Sequence, residues 1–114
     1  KIVMPLLEQF QGSGGYYATL FHELSHWTGH ASRLNRGLNF SLRKKPSQYA
    51  YEELVAELAS VFLSQELGYQ TSELFQNSAV YLSHYYELLK ENKTAFLSAA
   101  WAAGKAADYL LKFR

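Results

Sequence analysis

Apolar residues recur every three or four positions along most of the chain and divide it into four amphipathic segments. This spacing is typical of helices that bury one face. Gly29 and Gly68 follow the first two segments and are natural helix stops. Helices are therefore predicted over about residues 15–28, 48–67, 77–91 and 95–112.

Extended structure is predicted at two short stretches at most. Residues 1–4 are apolar and resemble the end of a strand, which Pro5 limits, and residues 39–42 carry a weak strand pattern. Because an isolated strand lacks a partner, we expect the chain to be a fragment of a longer protein. Residues 1–114 are expected to form a single, mainly α domain of about four helices with at most a small remnant sheet.

Composition excludes several classes of protein. The chain has no cysteine, so any metal must be held by histidine and carboxylate side chains. A formal net charge of +1 gives no strong reason to expect direct binding of nucleic acid or of an anionic membrane. Apolar runs are interrupted too early for a membrane span. A cytoplasmic location is expected, and the oligomeric state is not defined by the sequence.

The first predicted helix carries the candidate chemistry, in the sequence HELSH at residues 22–26. On a helix, His22 and His26 stand one turn apart on the same face, so their imidazoles can bind one metal ion. Glu23 lies beside that face and can act as a general base on the attacking water. This arrangement is the signature of zinc hydrolases.

A catalytic zinc usually has three protein ligands, so a third ligand must come from another element. On the second predicted helix, Glu53 and Glu57 share a face at a spacing of four residues. One of them can bind the metal while the other accepts a hydrogen bond from a ligating histidine, and the spacing fits either assignment. Glu52 lies about 100° around the helix from Glu53 and is expected to contribute little.

The stretch from Glu53 to Glu57, with Ala56 before the second acid, resembles the Glu-x-x-Ala-Asp arrangement of gluzincin peptidases. This resemblance implies that Glu53 binds zinc and that Glu57, one methylene longer than the usual aspartate, supports a ligating histidine. A wider resemblance links the chain to the metallopeptidase domain of polyvalent proteins. It is carried by residues 16–30, 32–36, 49–58 and 105–110.

The polyvalent-protein domain forms the C-terminal part of ArdC-type antirestriction proteins and a part of TraC-type plasmid primases. Membership would imply a zincin-like helical domain that binds Zn²⁺ through His22, His26 and Glu53 and hydrolyses a peptide or protein substrate, with Glu23 catalytic. In that family a separate N-terminal region binds single-stranded DNA, so we expect DNA contact only through a region outside this chain. The alternative is a zinc-containing module that does not cleave peptides and assists a DNA-binding antirestriction protein.

His30 continues the four-residue repeat of His22 and His26. Gly29 is expected to end the helix first, and each four-residue step along a helix rises about 6 Å. We therefore expect His30 in a loop or in the second shell of the metal, and not among its ligands. No role is assigned to His84.

Overall fold

The computed structural model describes residues 13–37, 46–69, 72–90 and 93–113, together with Ile2, Met4 and Leu6. These residues form four α-helices and no strand, which confirms the mainly α prediction. The strand predicted over residues 39–42 lies outside the described residues, as do residues 1 and 3, and Ile2 and Met4 are not in a strand. The helices are α1 (Ser13–Trp27), α2 (Pro46–Leu67), α3 (Ser72–Leu89) and α4 (Lys93–Leu111).

The predicted bounds of α1, α2 and α4 agree with the structure to within about two residues at each end. The prediction for α3 was wrong at its start, because this helix begins at Ser72 and not at Asn77. A serine followed by an acidic residue is a common helix-start pattern, and Ser72 is followed by Glu73 in the sequence. Gly68 ends α2 in the left-handed conformation, with φ of 81°.

The central helix is α2, which packs against each of the other three. A helix with neighbours on several sides is expected to bury residues around much of its circumference. The buried apolar residues of α2 are Ala50, Leu54, Val55, Ala56, Ala59 and Leu63.

None of the four described helices combines the length and the apolar character that crossing a bilayer requires.

A stripe of alanines joins α4 to α2. Ala99, Ala103, Ala106 and Ala107 are buried, and their spacing places them on one face of α4. Small side chains allow two helix axes to approach closely. This contact holds α2 from one side and leaves another side to face α1.

The remaining side of α2 packs against α1, and the two helices run antiparallel. Ser60 Oγ, late in α2, donates a hydrogen bond of 2.8 Å to the carbonyl oxygen of Ala18, early in α1. At the opposite ends, His26 of α1 contacts Glu52 of α2. This alignment brings the histidines of α1 to the acidic residues of α2.

Candidate metal centre

The side chains of His22, His26 and Glu53 converge between α1 and α2. His22 Nε2 lies 3.1 Å from Glu53 Oε2, and His26 Nε2 lies 3.2 Å from Glu53 Oε1. The two Nε2 atoms are 3.1 Å apart. Donor atoms at the usual zinc distances of about 2.0–2.1 Å in a tetrahedron are separated by about 3.3 Å. The three side chains therefore have the chemistry and the spacing of a zinc ligand set.

The other ring nitrogen of each histidine is held by a second carboxylate. His22 Nδ1 lies 3.0 Å from Glu57 Oε2, and His26 Nδ1 lies 2.8 Å from Glu52 Oε2. Because ionised carboxylates only accept hydrogen bonds, both Nδ1 atoms carry a hydrogen. When the rings are neutral, their Nε2 lone pairs face Glu53. Such a group of lone pairs requires a cation between them, either a proton or a metal ion.

Glu52 contacts the cluster, although the sequence analysis expected it to contribute little. That expectation for Glu52 was based on its offset of about 100° around the helix from Glu53. Glu52 is instead only 3% exposed and bonds to His26, because the contact between α1 and α2 is wide enough to include both positions. Burial raises the pKa of Glu52, but hydrogen bonds from Arg36 and His26 outweigh burial and lower it. The acceptor that the second nitrogen of a ligating histidine usually has was a signal for a further acid near His26, but it does not say which acid.

Glu23 and His22 line the same cleft, which lies between α1, α2 and α3 and has a volume of about 440 Å³. Glu23 forms no hydrogen bond or ion pair with another residue that the structure describes. Much of the remaining wall is small or polar, and the Oγ of the buried Ser64 has no hydrogen-bond partner among the described residues. These wall residues include Thr19, Ser60, Ser64, Asn77, Ser78 and Tyr81.

His30 is not brought to this cluster. The helix α1 ends at Trp27, and the chain turns before His30. The exposed imidazole of His30 accepts a hydrogen bond of 3.1 Å at Nδ1 from the backbone N–H of Ser32. His84 is exposed on α3, with its ring centre 5.1 Å from that of Tyr85.

The carboxylates of the cluster change the pKa values of both histidines. Burial lowers the pKa of His22, but hydrogen bonds to Glu53 and Glu57 outweigh burial and raise that pKa to about 9. Burial likewise lowers the pKa of His26, and its hydrogen bonds to Glu52 and Glu53 raise it to about 8. Burial raises the pKa of Glu53, while the two histidines bring it well below its usual range. The neighbouring His22 also lowers the pKa of His26, but this effect is smaller than that of the carboxylates.

Two helical histidines that face a carboxylate on a neighbouring helix define the zincin class of metal site. The chain belongs to the zincin-like metallopeptidase family of polyvalent proteins (MPTase-PolyVal), whose family model matches residues 1–102. The family membership predicted from the sequence is confirmed.

Three curated proteins are similar to the chain over nearly all of its length. Two Escherichia coli proteins named DNA primase TraC are 41% and 40% identical to the chain over 113 residues, which is 99% of it. An uncharacterized protein of Sinorhizobium fredii, y4eC, is 33% identical over 109 residues, or 96% of the chain. The chain spans 8% and 10% of the two primases and 34% of y4eC. No solved structure matches the chain.

The metal-free domain should lose stability as the pH rises from 6.5 to about 9. A histidine whose pKa is raised by folding contributes stability fully below its unfolded value, and this contribution is lost as the pH passes through the folded value. Thermal unfolding in the presence of a chelator measures the effect. His22→Ala should lose most of the pH dependence, and the exposed His30→Ala control should keep it. An unfolding temperature that stays constant across this range would contradict the raised pKa values.

Zinc affinity should separate the three glutamates of α2. Glu53→Ala removes the candidate carboxylate ligand and should bind zinc most weakly. Glu57→Ala and Glu52→Ala each remove the acceptor of one Nδ1–H, for which losses of about 10- to 100-fold are typical. The exposed Glu66→Ala is the matched control on the same helix.

Competition with a chromophoric chelator gives the four dissociation constants. If Glu57→Ala loses more affinity than Glu53→Ala, the two residues have exchanged roles. If Glu52→Ala binds zinc as tightly as the Glu66→Ala control, Glu52 does not support His26.

Proposed function

We propose that this domain binds one Zn²⁺ through His22, His26 and Glu53 and hydrolyses peptide bonds, with Glu23 as general base. The observation that carries the proposal is the convergence of three donor side chains at separations of 3.1–3.2 Å. Membership of a zincin-like metallopeptidase family supports it. A zinc ion held by these side chains would polarise the scissile carbonyl and increase the acidity of the attacking water.

The supporting carboxylates prepare the histidines for this task. Glu57 and Glu52 each accept the Nδ1–H of one imidazole, so each ring is held in the tautomer whose Nε2 can bind a metal. Hydrogen bonds of this kind also fix the orientation of the ring and increase its basicity as a ligand. The site therefore needs little rearrangement on binding zinc.

Glu23 would move the proton of the reaction. Its carboxylate accepts a proton from the attacking water as the water oxygen bonds to the carbonyl carbon, and gives it to the amine nitrogen as the C–N bond breaks. Two features support this role. Glu23 lines the same cleft as His22, and its carboxylate forms no hydrogen bond or ion pair with a described residue.

The cleft fits a short segment of a peptide or protein substrate. Its volume of about 440 Å³ lies in the range of small-molecule sites, which is enough for one or a few side chains of a substrate. The described wall has a histidine or an acidic side chain only at His22, Glu23 and Glu57, and the rest of it is uncharged and includes the aliphatic Val61. A substrate would therefore lie with its scissile bond near His22 and its neighbouring side chain along the uncharged wall.

A second candidate function follows from the names of the relatives. Two of them are DNA primases, of which the chain spans 8% and 10%. In a plasmid or phage primase or antirestriction protein, the zinc site could serve an accessory module without peptide cleavage, while other regions contact DNA. The two functions share the metal site and differ in turnover.

Glu23→Gln separates the two functions. The variant should bind zinc as the parent does, because Glu23 is not among the ligands, and should cleave unfolded casein about 10²–10⁴-fold more slowly. Zinc-loaded parent, Glu23→Gln and the control Glu66→Gln are compared by the release of new amino termini.

Cleavage by the parent and the control but not by Glu23→Gln supports the peptidase. A zinc-loaded parent without turnover on any peptide supports the accessory module. Equal cleavage by the parent and Glu23→Gln contradicts the general-base role.

A further inference from the structure

We propose that Arg36 is a positioning residue of the metal centre and that it acts on His26 through Glu52. The inference rests on the proposed zinc site, because it assigns to the loop after α1 the task of holding one zinc ligand in place. Neither the spacing of the sequence nor the proposed mechanism gives Arg36 a role.

The guanidinium of Arg36 forms a bidentate ion pair with Glu52 through two parallel hydrogen bonds. Arg36 Nε donates to Glu52 Oε1 and Nη2 donates to Oε2, both at 2.9 Å. The side chains are only 10% and 4% exposed. Such a two-point pair is among the most directional contacts in proteins. Because Glu52 Oε2 also accepts from His26 Nδ1, the arginine and the histidine share one carboxylate.

The same guanidinium is tied to the C-terminal end of α1. Arg36 Nη1 donates to Thr28 Oγ1 at 2.9 Å, and Nη2 donates to the carbonyl oxygen of Ser25 at 2.7 Å. A cation is favoured at this end of a helix, where backbone carbonyls lack helical partners. Arg36 thus links α1 and α2, the two helices that supply the proposed zinc ligands.

The conformation of the loop between α1 and Arg36 places the Arg36 side chain beside Glu52. The backbone N–H of Leu34 donates to the Thr28 carbonyl at 2.8 Å, and that of Arg36 donates to the Gly29 carbonyl at 2.9 Å. Asn35 has φ of 49°, a left-handed conformation that asparagine tolerates better than most residues. The chain therefore turns back on α1 directly before Arg36.

Two engaged oxygens restrict what Glu52 can do. A carboxylate next to Glu53 that lacked Arg36 could rotate towards the metal or leave His26 Nδ1 without its acceptor. The two hydrogen bonds from Arg36 oppose this rotation and keep the Glu52 carboxylate directed at His26. His26 then keeps the tautomer whose Nε2 faces Glu53.

Arg33 provides a matched control in the same loop. Its Nε donates to the Trp27 carbonyl at 2.6 Å, and its guanidinium carbon lies 3.8 Å from the centre of the Trp27 ring. Its other described contact is with Ser32, so Arg33 supports the loop without reaching an acidic residue of α2. Loss of Arg33 therefore reports what the loop alone contributes.

Zinc affinities of Arg36→Ala, Arg36→Lys and Arg33→Ala test the proposal. Arg36→Ala should weaken zinc binding by about 10- to 100-fold, as expected for a partner outside the ligand set. Arg36→Lys should fall between Arg36→Ala and the parent, because an ammonium keeps the charge but loses the fork. Arg33→Ala should bind zinc as the parent does. If Arg36→Ala fails to fold, Arg36→Lys gives the same comparison.

A double-mutant cycle with Glu52→Gln shows whether Arg36 acts through Glu52. If it does, adding Arg36→Ala or Arg36→Lys to Glu52→Gln should cause little further loss of zinc affinity, so the two effects are not additive. Nitrogen-15 spectra of the metal-free domain at alkaline pH add a second readout. His26 should carry its hydrogen on Nδ1 in the parent and in Arg33→Ala, and should populate both tautomers in the Arg36 variants.

The inference is overturned by folded Arg36 variants that bind zinc as tightly as the parent, by additive losses in the cycle, or by an unchanged His26 tautomer. None of these results would contradict the proposed function. A parent domain that binds no zinc would overturn the proposed function itself.

Discussion

The contact between α1 and α2 buries Glu52 and partly buries His22, His26, Glu53 and Glu57, and the candidate site depends on the pairing of these side chains. Taking a carboxylate out of water is unfavourable unless a charged donor replaces the lost hydration. Each acid has such a donor: Glu57 and Glu53 pair with His22, Glu53 also meets His26, and Glu52 pairs with His26 and Arg36. The antiparallel alignment of α1 and α2 sets the pairs between the histidines and the glutamates, and the loop after α1 supplies Arg36. On the side of α2 that faces away from α1, the alanine stripe of α4 packs against α2.

This pairing explains how a small helical domain can present a candidate metal site with an open side. Three donor side chains lie between α1 and α2, and the cleft beside His22 and Glu23 remains available to a substrate. Four-coordinate zinc with three protein ligands leaves one position for water or substrate. The acids that support the histidines lie on the far side of the rings from the converging Nε2 atoms, so they do not compete for that position.

Much of this arrangement could be predicted from local spacing, and the remainder depends on how the helices pack. Positions four residues apart place His22 with His26 and Glu53 with Glu57, whatever the tertiary structure. The role of Glu52 depends on the width of the contact between α1 and α2, which a helical wheel does not give. The contacts of Arg36 depend on a loop that reverses at Asn35, and no periodic pattern marks that path. Conversely, the early start of α3 at Ser72 was available in the sequence.

The central claim is that His22, His26 and Glu53 together bind one zinc ion. X-ray absorption of the domain loaded with one equivalent of zinc tests it most directly, with Glu53→Ala for comparison. The account predicts four nitrogen and oxygen donors at about 2.0–2.1 Å, two of them with the outer-shell scattering of imidazole, and a loss of one oxygen donor or of bound zinc in the variant. A spectrum with fewer than two imidazoles, or one that is unchanged in Glu53→Ala, would contradict it.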